Sequence, residues 1–360
     1  MNKLRVFNIV EAKVWGGGEQ YVYDTAKIMA KNDVEVFVAV DRNNKELQRR
    51  FSEVANVVVF DFYSFARLKD FLKVKDFVVR NNIDIVNCHS GRSMLLAIYL
   101  KLTTAIKLVA FKHNAIAAKH DFYHRWQRKH TDAFICVSKL VYEKQTEKLE
   151  DDNSKYHLVY GGIDTERFNK DKDPEFIVKD KFIIGYAGRI VPNKGINTLL
   201  EAFNQLSVKY PDMQLLLAGA DEKGYLKDIE QYISANKLDD KVKCIGYVSE
   251  LESYYKNLNV FVLPSVVEEA FGLVLCEAMY CGAVVITTDS GAQNEIIDDG
   301  IDGYIFDNQS ATELVKFIEK IYLHWEAHEQ MVQSARKKVL DKFSADLCVG
   351  KILKIYNNLL

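Results

Sequence analysis

The chain has 360 residues, 48% of them apolar and 27% charged, with 18 Gly and only 4 Pro, a balance that excludes disordered and collagen-like chains and predicts two globular domains. A formal net charge of −2 argues against a nucleic-acid binder. That average hides an asymmetry: residues 1–160 carry 26 Lys and Arg against 19 Asp and Glu, and residues 161–360 carry 22 against 31, so the halves, at +7 and −9, are expected to face different partners.

The first apolar run, Val6 to Val10, is short and is followed at once by Glu11, which does not match a secretory signal. No run approaches the roughly 18 uninterrupted apolar residues of a membrane span. From there, short β-rich runs alternate with amphipathic stretches. The first half predicts strands at Leu4–Val10, Val34–Val40, Asn56–Phe60, Ile83–Cys88, Lys107–Lys112 and Ala133–Val137. Helices are predicted between them, near Glu19–Lys31, Phe65–Arg80, Gly91–Leu102, Ile116–His130 and Ser138–Leu149. The periodicity lapses and charges crowd over Glu150–Lys181, with Tyr156–Tyr160 read as a connecting strand across a hinge. The second half repeats the plan with strands at Phe182–Ala187, Met213–Ala218, Val242–Ile245, Val260–Leu263, Ala283–Thr287 and Tyr304–Phe306, and is helical after Ser310. A final stripe of Ile352, Ile355 and Leu359 predicts a terminal helix that packs back on the first half.

Strands alternating with helices predict parallel sheets wound on both faces, hence an α/β chain of two doubly wound, Rossmann-like lobes with a ligand cleft between them. The expected domains are 1–160, with a helix at about 345–360 packing back on it, and 161–344. Six cysteines (Cys88, Cys136, Cys244, Cys276, Cys281, Cys348) form no CxxC pair and sit mostly in apolar runs, which predicts reduced, buried thiols and a cytosolic protein.

Four stretches could carry chemistry. Gly16-Gly17-Gly18-Glu19 lies between the first strand and the first helix, where glycine lets backbone approach a ligand and a helix N-terminus offers N–H groups to an anion. A structural turn and a dinucleotide fingerprint with Asp41 as ribose acid compete with that reading, although the spacing is not GxGxxG. Gly188-Arg189 through Lys194-Gly195 occupies the same place in the second half, and its two cations could cradle a diphosphate or be solvated surface charges. Glu269 and Glu277 stand eight apart in Glu269-Ala270-Phe271-Gly272-Leu273-Val274-Leu275-Cys276-Glu277. Glu277, among apolar residues, needs hydrogen-bond donors such as sugar hydroxyls; a helical salt bridge is the plainer alternative. His89 and His113 follow strands and so lie at a carboxyl edge, while His120/His124 and His324/His328 have the i,i+4 spacing of metal ligands without a convincing third. Finally, Lys101–His130 holds seven Lys and Arg against Asp121 alone, with Phe122 and Trp126 four apart, which reads as a patch for an anionic bilayer or lipid phosphate, or as a solvated face.

Together, Val159-Tyr160-Gly161-Gly162-Ile163-Asp164-Thr165-Glu166-Arg167-Phe168, Gly188-Arg189 through Lys194-Gly195, Leu216-Leu217-Ala218-Gly219, Gly246-Tyr247-Val248, Leu263-Pro264-Ser265 and Glu269 through Met279 resemble the retaining glycosyltransferases of family 4, which have the two-lobed GT-B fold. The resemblance implies a nucleotide-sugar substrate, UDP-linked before GDP-linked, no cofactor, no metal and no nucleic acid. It implies that Arg189 and Lys194 hold the diphosphate, Glu277 the ribose hydroxyls, and backbone near Tyr247 and Val248 the base. Glu269 and the amides of Phe271, Gly272 and Leu273 would orient the sugar, His113 would line its site, and Gly16 and Gly17 would let the donor lie close. The acceptor would be a saccharide or lipid-linked saccharide of cell-envelope assembly, reached from the cytoplasm or the inner membrane face. Two departures stand out: Val14-Trp15 replaces the Pro common before the glycines, leaving Trp15 to stack on an acceptor or to fill the hinge, and Ala292-Gln293 stands where relatives often have Gly-Pro. An NAD(P)-linked oxidoreductase and an inactive sugar-nucleotide-binding partner are the alternatives.

Overall fold

The computed structural model describes residues 3–62, 67–149, 153–168, 181–248 and 251–360. Most of the charged break (Glu150 to Asp152, Asp171 to Pro174) and the predicted helix start at Phe65 lie outside those residues. Two compact units result, one of Met1–Ile163 with Ala345–Leu360 and one of Asp164–Ser344.

The first unit is a seven-stranded parallel sheet: β1 (Arg5–Ile9), β2 (Glu35–Asp41), β3 (Asn56–Phe60), β4 (Ile85–Cys88), β5 (Lys107–Lys112), β6 (Ala133–Cys136) and β7 (Tyr156–Leu158), in the order β3-β2-β1-β4-β5-β6-β7. The central strands are buried on both faces, as continuous Val/Ile runs require when helices cover a parallel sheet. The chain winds outward from β1 to β3 and then crosses back to β4, so the β1/β4 boundary is a topological switch point where loops diverge and leave a crevice.

Two elements differ from the sequence reading. The helix expected at Ile116–His130 begins at Phe122, because the Asp121 side chain caps it at the His124 amide and the preceding residues are claimed elsewhere: Gln145 Nε2 donates to Ile116 O at 2.6 Å and Ala118 N to Lys144 O at 3.0 Å. The expected hinge strand is instead the edge strand β7, in register with β6. The terminal helix Ala345–Leu359 packs against the helix Gly17–Lys31; it buries Ala345, Cys348, Val349, Ile352 and Tyr356, so of the expected stripe Ile352 is buried while Ile355 and Leu359 are half-buried.

The second unit repeats the architecture with β8 (Phe182–Ala187), β9 (Met213–Ala218), β10 (Val242–Gly246), β11 (Val260–Leu263), β12 (Val284–Thr288) and β13 (Tyr304–Phe306), ordered β10-β9-β8-β11-β12-β13. Its switch point lies between β8 and β11, where the strands run side by side from Val260↔Ile184. None of the six cysteines forms a disulfide, and four are buried. Among the described residues, no helix is long and apolar enough to cross a membrane.

Candidate functional site

Of the sequence-predicted residues of the second unit, Lys194 and Glu269 meet at the carboxyl edge of its sheet, while Arg189 and Glu277 pair with other residues. Arg189 and Lys194 lie on the loop leaving β8, and Glu269 on the loop leaving the adjacent β11. The Lys194 ammonium pairs with a Glu269 carboxylate oxygen, and Ser265 Oγ donates to the same oxygen at 2.5 Å. Both side chains of the pair are more than four-fifths buried, so this is a polar contact made largely out of water. Arg189 is different: its guanidinium is exposed and reaches Glu222 at 3.3 Å, held by a backbone whose carbonyl accepts the Tyr186 hydroxyl at 2.8 Å. Burial, with the Glu269 charge second, holds that phenol well above the ordinary tyrosine range.

Close backbone approach fixes the loops. Gly195 has φ +71° and a Cβ there would lie 1.8 Å from the Pro264 carbonyl oxygen, so only glycine lets the β8 loop lean on the β11 loop. Val266 N then donates to Asn193 O at 3.1 Å. The Glu269 backbone is clamped in turn by the segment after β12: Glu269 N donates to Ser290 O at 3.1 Å and Ala292 N to Glu269 O at 2.9 Å, while Gln293 Nε2 is spent on Thr287 Oγ1 at 2.8 Å. Of the Ala292-Gln293 pair that departs from the family pattern, Ala292 therefore clamps the Glu269 backbone and Gln293 ties itself to β12. Asn308, after β13, ties Val266 O (3.0 Å) to Ser290 Oγ (2.9 Å) and so joins both loops. Ser265 entered the sequence reading as part of the matching run Leu263-Pro264-Ser265 without a role, and Tyr186 and Asn308 carried no signal, because single polar residues acquire these partners only by chain crossover.

Phe271 is buried against Phe343, Gly272 takes φ +117°, and Leu273 opens the helix Leu273–Cys281, whose first amides lack intrahelical acceptors. Glu277 lies inside that helix, 4% exposed, and accepts the Tyr255 hydroxyl at 2.9 Å. Burial raises its pKa, and the nearby Arg167 charge opposes the rise. Tyr247 and Val248 follow the carboxyl end of β10, where Gly219 N donates to Gly246 O at 2.7 Å.

In the first unit, Gly16 caps the helix Gly17–Lys31 and its amide donates to Glu19 Oε2 at 2.9 Å. A Cβ at Gly17 or Gly18 would touch nothing within 4 Å, so nothing in the fold itself demands glycine there. Trp15 packs on Phe51 and Tyr23 beneath Arg50, which fills the unit's own surface. Asp41 spends both oxygens on the amides of Asn43 (2.9 Å) and Phe62 (3.1 Å), a turn rather than a ribose site. His113 follows β5 and faces His89, Nε2 to Nδ1, at 3.1 Å. Burial holds the His113 pKa down at about 4 and His89 well below the usual histidine range. The i,i+4 pairs have local uses: His124 Nδ1 meets Asp121 Oδ2 at 2.6 Å, and His328 lies between Tyr304 and the His324 carbonyl. Among the described residues, no three His, Cys, Asp or Glu converge as a metal site.

The sequence matches two family models in tandem: Glycosyltransferase Family 4 over residues 15–167 and Glycosyl transferases group 1 over residues 167–338. It is 27% identical over 354 residues to the capsular polysaccharide biosynthesis glycosyltransferase CapM of Staphylococcus aureus, spanning 93% of this chain and 92% of CapM. The fold superposes on the crystal structure of a glycosyltransferase from Rickettsia africae with a TM-score of 0.88, at 21% identity over 100% and 99% of the two chains. It also superposes on Anabaena HepE, crystallised with UDP and glucose, at a TM-score of 0.84, 19% identity and 98% and 99% coverage.

Proposed function

This chain belongs to the family 4 glycosyltransferases, and we propose that within them it moves a sugar, with retained α-configuration, from a nucleoside-diphosphate sugar to a saccharide or lipid-linked saccharide of cell-envelope polysaccharide assembly. UDP is the first choice of nucleotide, GDP the second; HepE was crystallised with UDP, and CapM acts in capsular polysaccharide biosynthesis. The observation that carries the reading is the buried Lys194–Glu269 pair at the β8/β11 switch point, with the exposed guanidinium of Arg189 carried by the same loop as Lys194.

In this reading Arg189 and Lys194 bind the diphosphate and neutralise the charge that grows on it as the glycosidic bond breaks, which is the largest electrostatic demand of an oxocarbenium-like transition state. Glu269 turns from its partner toward sugar hydroxyls, and the amides of Phe271, Gly272 and Leu273 meet the sugar or the adjacent phosphate. Glu277 accepts from the ribose, and backbone at Tyr247 and Val248 meets the base. Gly16 and Gly17 supply approach without a side chain, which suits the empty space around Gly17, and His113 meets the transferred sugar. The departing phosphate takes the acceptor proton on the same face. No bound cofactor enters this scheme.

A melting-temperature screen with UDP-, GDP- and ADP-sugars tests the donor, since a ligand bound only by the folded chain raises the midpoint by mass action. No shift with any of them would sink the reading.

A second feature favours an anionic bilayer as a partner on the cytoplasmic face. The helix Phe122–His130 buries none of its residues, and Phe122 is 80% exposed. It overhangs a groove of about 770 Å³ lined by Phe122, Arg125, Trp126, Lys129, Lys155 and Tyr156 among others, with no acid in its lining. Aromatic surface beside cations in a lining without an acid is the chemistry of interfacial docking. Equal sedimentation with anionic and zwitterionic vesicles would remove this part.

A further inference from the structure

Five side chains of the first unit are hydrogen-bonded in series, from the terminal helix to the edge of the sheet. Tyr356 Oη donates to Asn87 Oδ1 at 2.8 Å, and Asn87 Nδ2 donates to Asn8 Oδ1 at 2.9 Å. His89 Nε2 lies 3.0 Å from the same Asn8 oxygen, and His89 Nδ1 lies 3.1 Å from His113 Nε2. Asn8 and Asn87 are register partners on β1 and β4, and with Tyr356 they are almost wholly buried. The order of groups sets the protons. An amide oxygen only accepts, so His89 Nε2 carries its hydrogen; a neutral imidazole has one N–H, so His89 Nδ1 is a lone pair; His113 must then donate from Nε2. His113 Nδ1 is left as a lone pair with no protein donor among the described residues.

We propose that Tyr356, Asn87, Asn8 and His89 act as positioning residues that hold His113 in its Nε2–H tautomer, so that it offers the ligand an acceptor and never a donor. The proposal rests on the reading of His113 as a contact of the transferred sugar. Its consequence is a substrate class: a neutral sugar brings a hydroxyl proton to Nδ1, whereas a uronic-acid carboxylate facing that nitrogen brings none and leaves two lone pairs opposed. Desolvation keeps both rings neutral, which excludes the imidazolium that would donate from either nitrogen.

The test is nitrogen NMR on the full ligand-free chain labelled with ¹⁵N-histidine, with His113→Gln used to assign the signal. The expected result is a protonated Nε2 and an unprotonated Nδ1 at His113 at neutral pH, becoming a tautomer mixture in Asn8→Leu. A protonated Nδ1 in the unsubstituted chain overturns the proposal without any variant, and an unchanged tautomer in a folded Asn8→Leu overturns the relay. Affinity for UDP and for UDP-glucose separates the underlying reading: His113→Ala should weaken UDP-glucose about tenfold and leave UDP unchanged. Equal loss for both ligands removes the sugar contact, whatever the tautomer.

Discussion

Lys194 and Glu269, 75 positions apart, meet in a shared ion pair on adjacent loops of the second sheet, with Ser265 Oγ on the same carboxylate oxygen. The pair pre-positions a cation and an acid where β8 and β11 part, and in the proposed reading it opens when a diphosphate competes for the ammonium.

Lys194→Ala is therefore expected to lower kcat/KM by about 10²–10³, the usual cost of removing one group that stabilises developing charge. It should also lower stability, since Glu269 would be left buried without its cation. Turnover within threefold of the unsubstituted enzyme would overturn the assignment of Lys194 to the leaving group.

Glycine positions separate fold from ligand. Gly195→Ala places a methyl 1.8 Å from the Pro264 carbonyl at a left-handed φ and should cost more than about 2 kcal/mol in urea unfolding. Gly17→Ala meets nothing within 4 Å and should leave the unfolding midpoint unchanged or raised. The same Gly17→Ala chain should lose donor affinity; full affinity with full stability would assign Gly17 no contact.

Tyr255→Phe removes the hydroxyl that Glu277 accepts at 2.9 Å. A buried carboxylate stripped of a donor should cost about 1–3 kcal/mol of stability, read as a shift in the denaturant midpoint at constant slope. The same variant moves the Glu277 pKa further upward, because Tyr255 stabilises the charged form. A midpoint equal to that of the unsubstituted chain would mean that Glu277 finds its donors elsewhere.

Stability should rise with pH between roughly 4 and 6.5. His113 titrates at about 4 when folded and His89 also lies below its ordinary value, whereas both bind protons near 6.5 when unfolded. The unfolded state thus holds more protons in that window, and folding stability is lost as pH falls through it, with a slope of at most about 1.4 kcal/mol per pH unit for each histidine. Denaturant midpoints measured across the window in the chain and in His89→Gln/His113→Gln should differ in slope, the variant being flatter. Identical slopes would place the pH dependence in other groups.

Elements differ in how far local sequence alone specifies them. Strands such as Ala133–Cys136 and Val260–Leu263 were plain from unbroken apolar runs, because burial on both faces of a parallel sheet leaves only one reading of them. The helix expected from Ile116 starts only at Phe122, because its start depends on Asp121 capping and on Gln145 claiming the Ile116 carbonyl, and the second of these partners lies 29 residues on. The pattern of Tyr156–Tyr160 reads as a connecting strand across a hinge, and only its pairing with β6 makes Tyr156–Leu158 an edge strand.

Local order in the chain was enough to establish the alternation of strands and helices and the glycines that precede helices, since periodicity and turns act over a few residues, whereas the sugar-nucleotide roles were implied by the family resemblance alone. Which residues meet was a matter for the crossovers: Lys194 reaches Glu269, Asn308 bridges Val266 and Ser290, and Tyr356 reaches Asn87 across 269 positions. Such contacts follow from strand order in the sheets, which no short-range spacing encodes, and the protonation of His113 follows from them in turn.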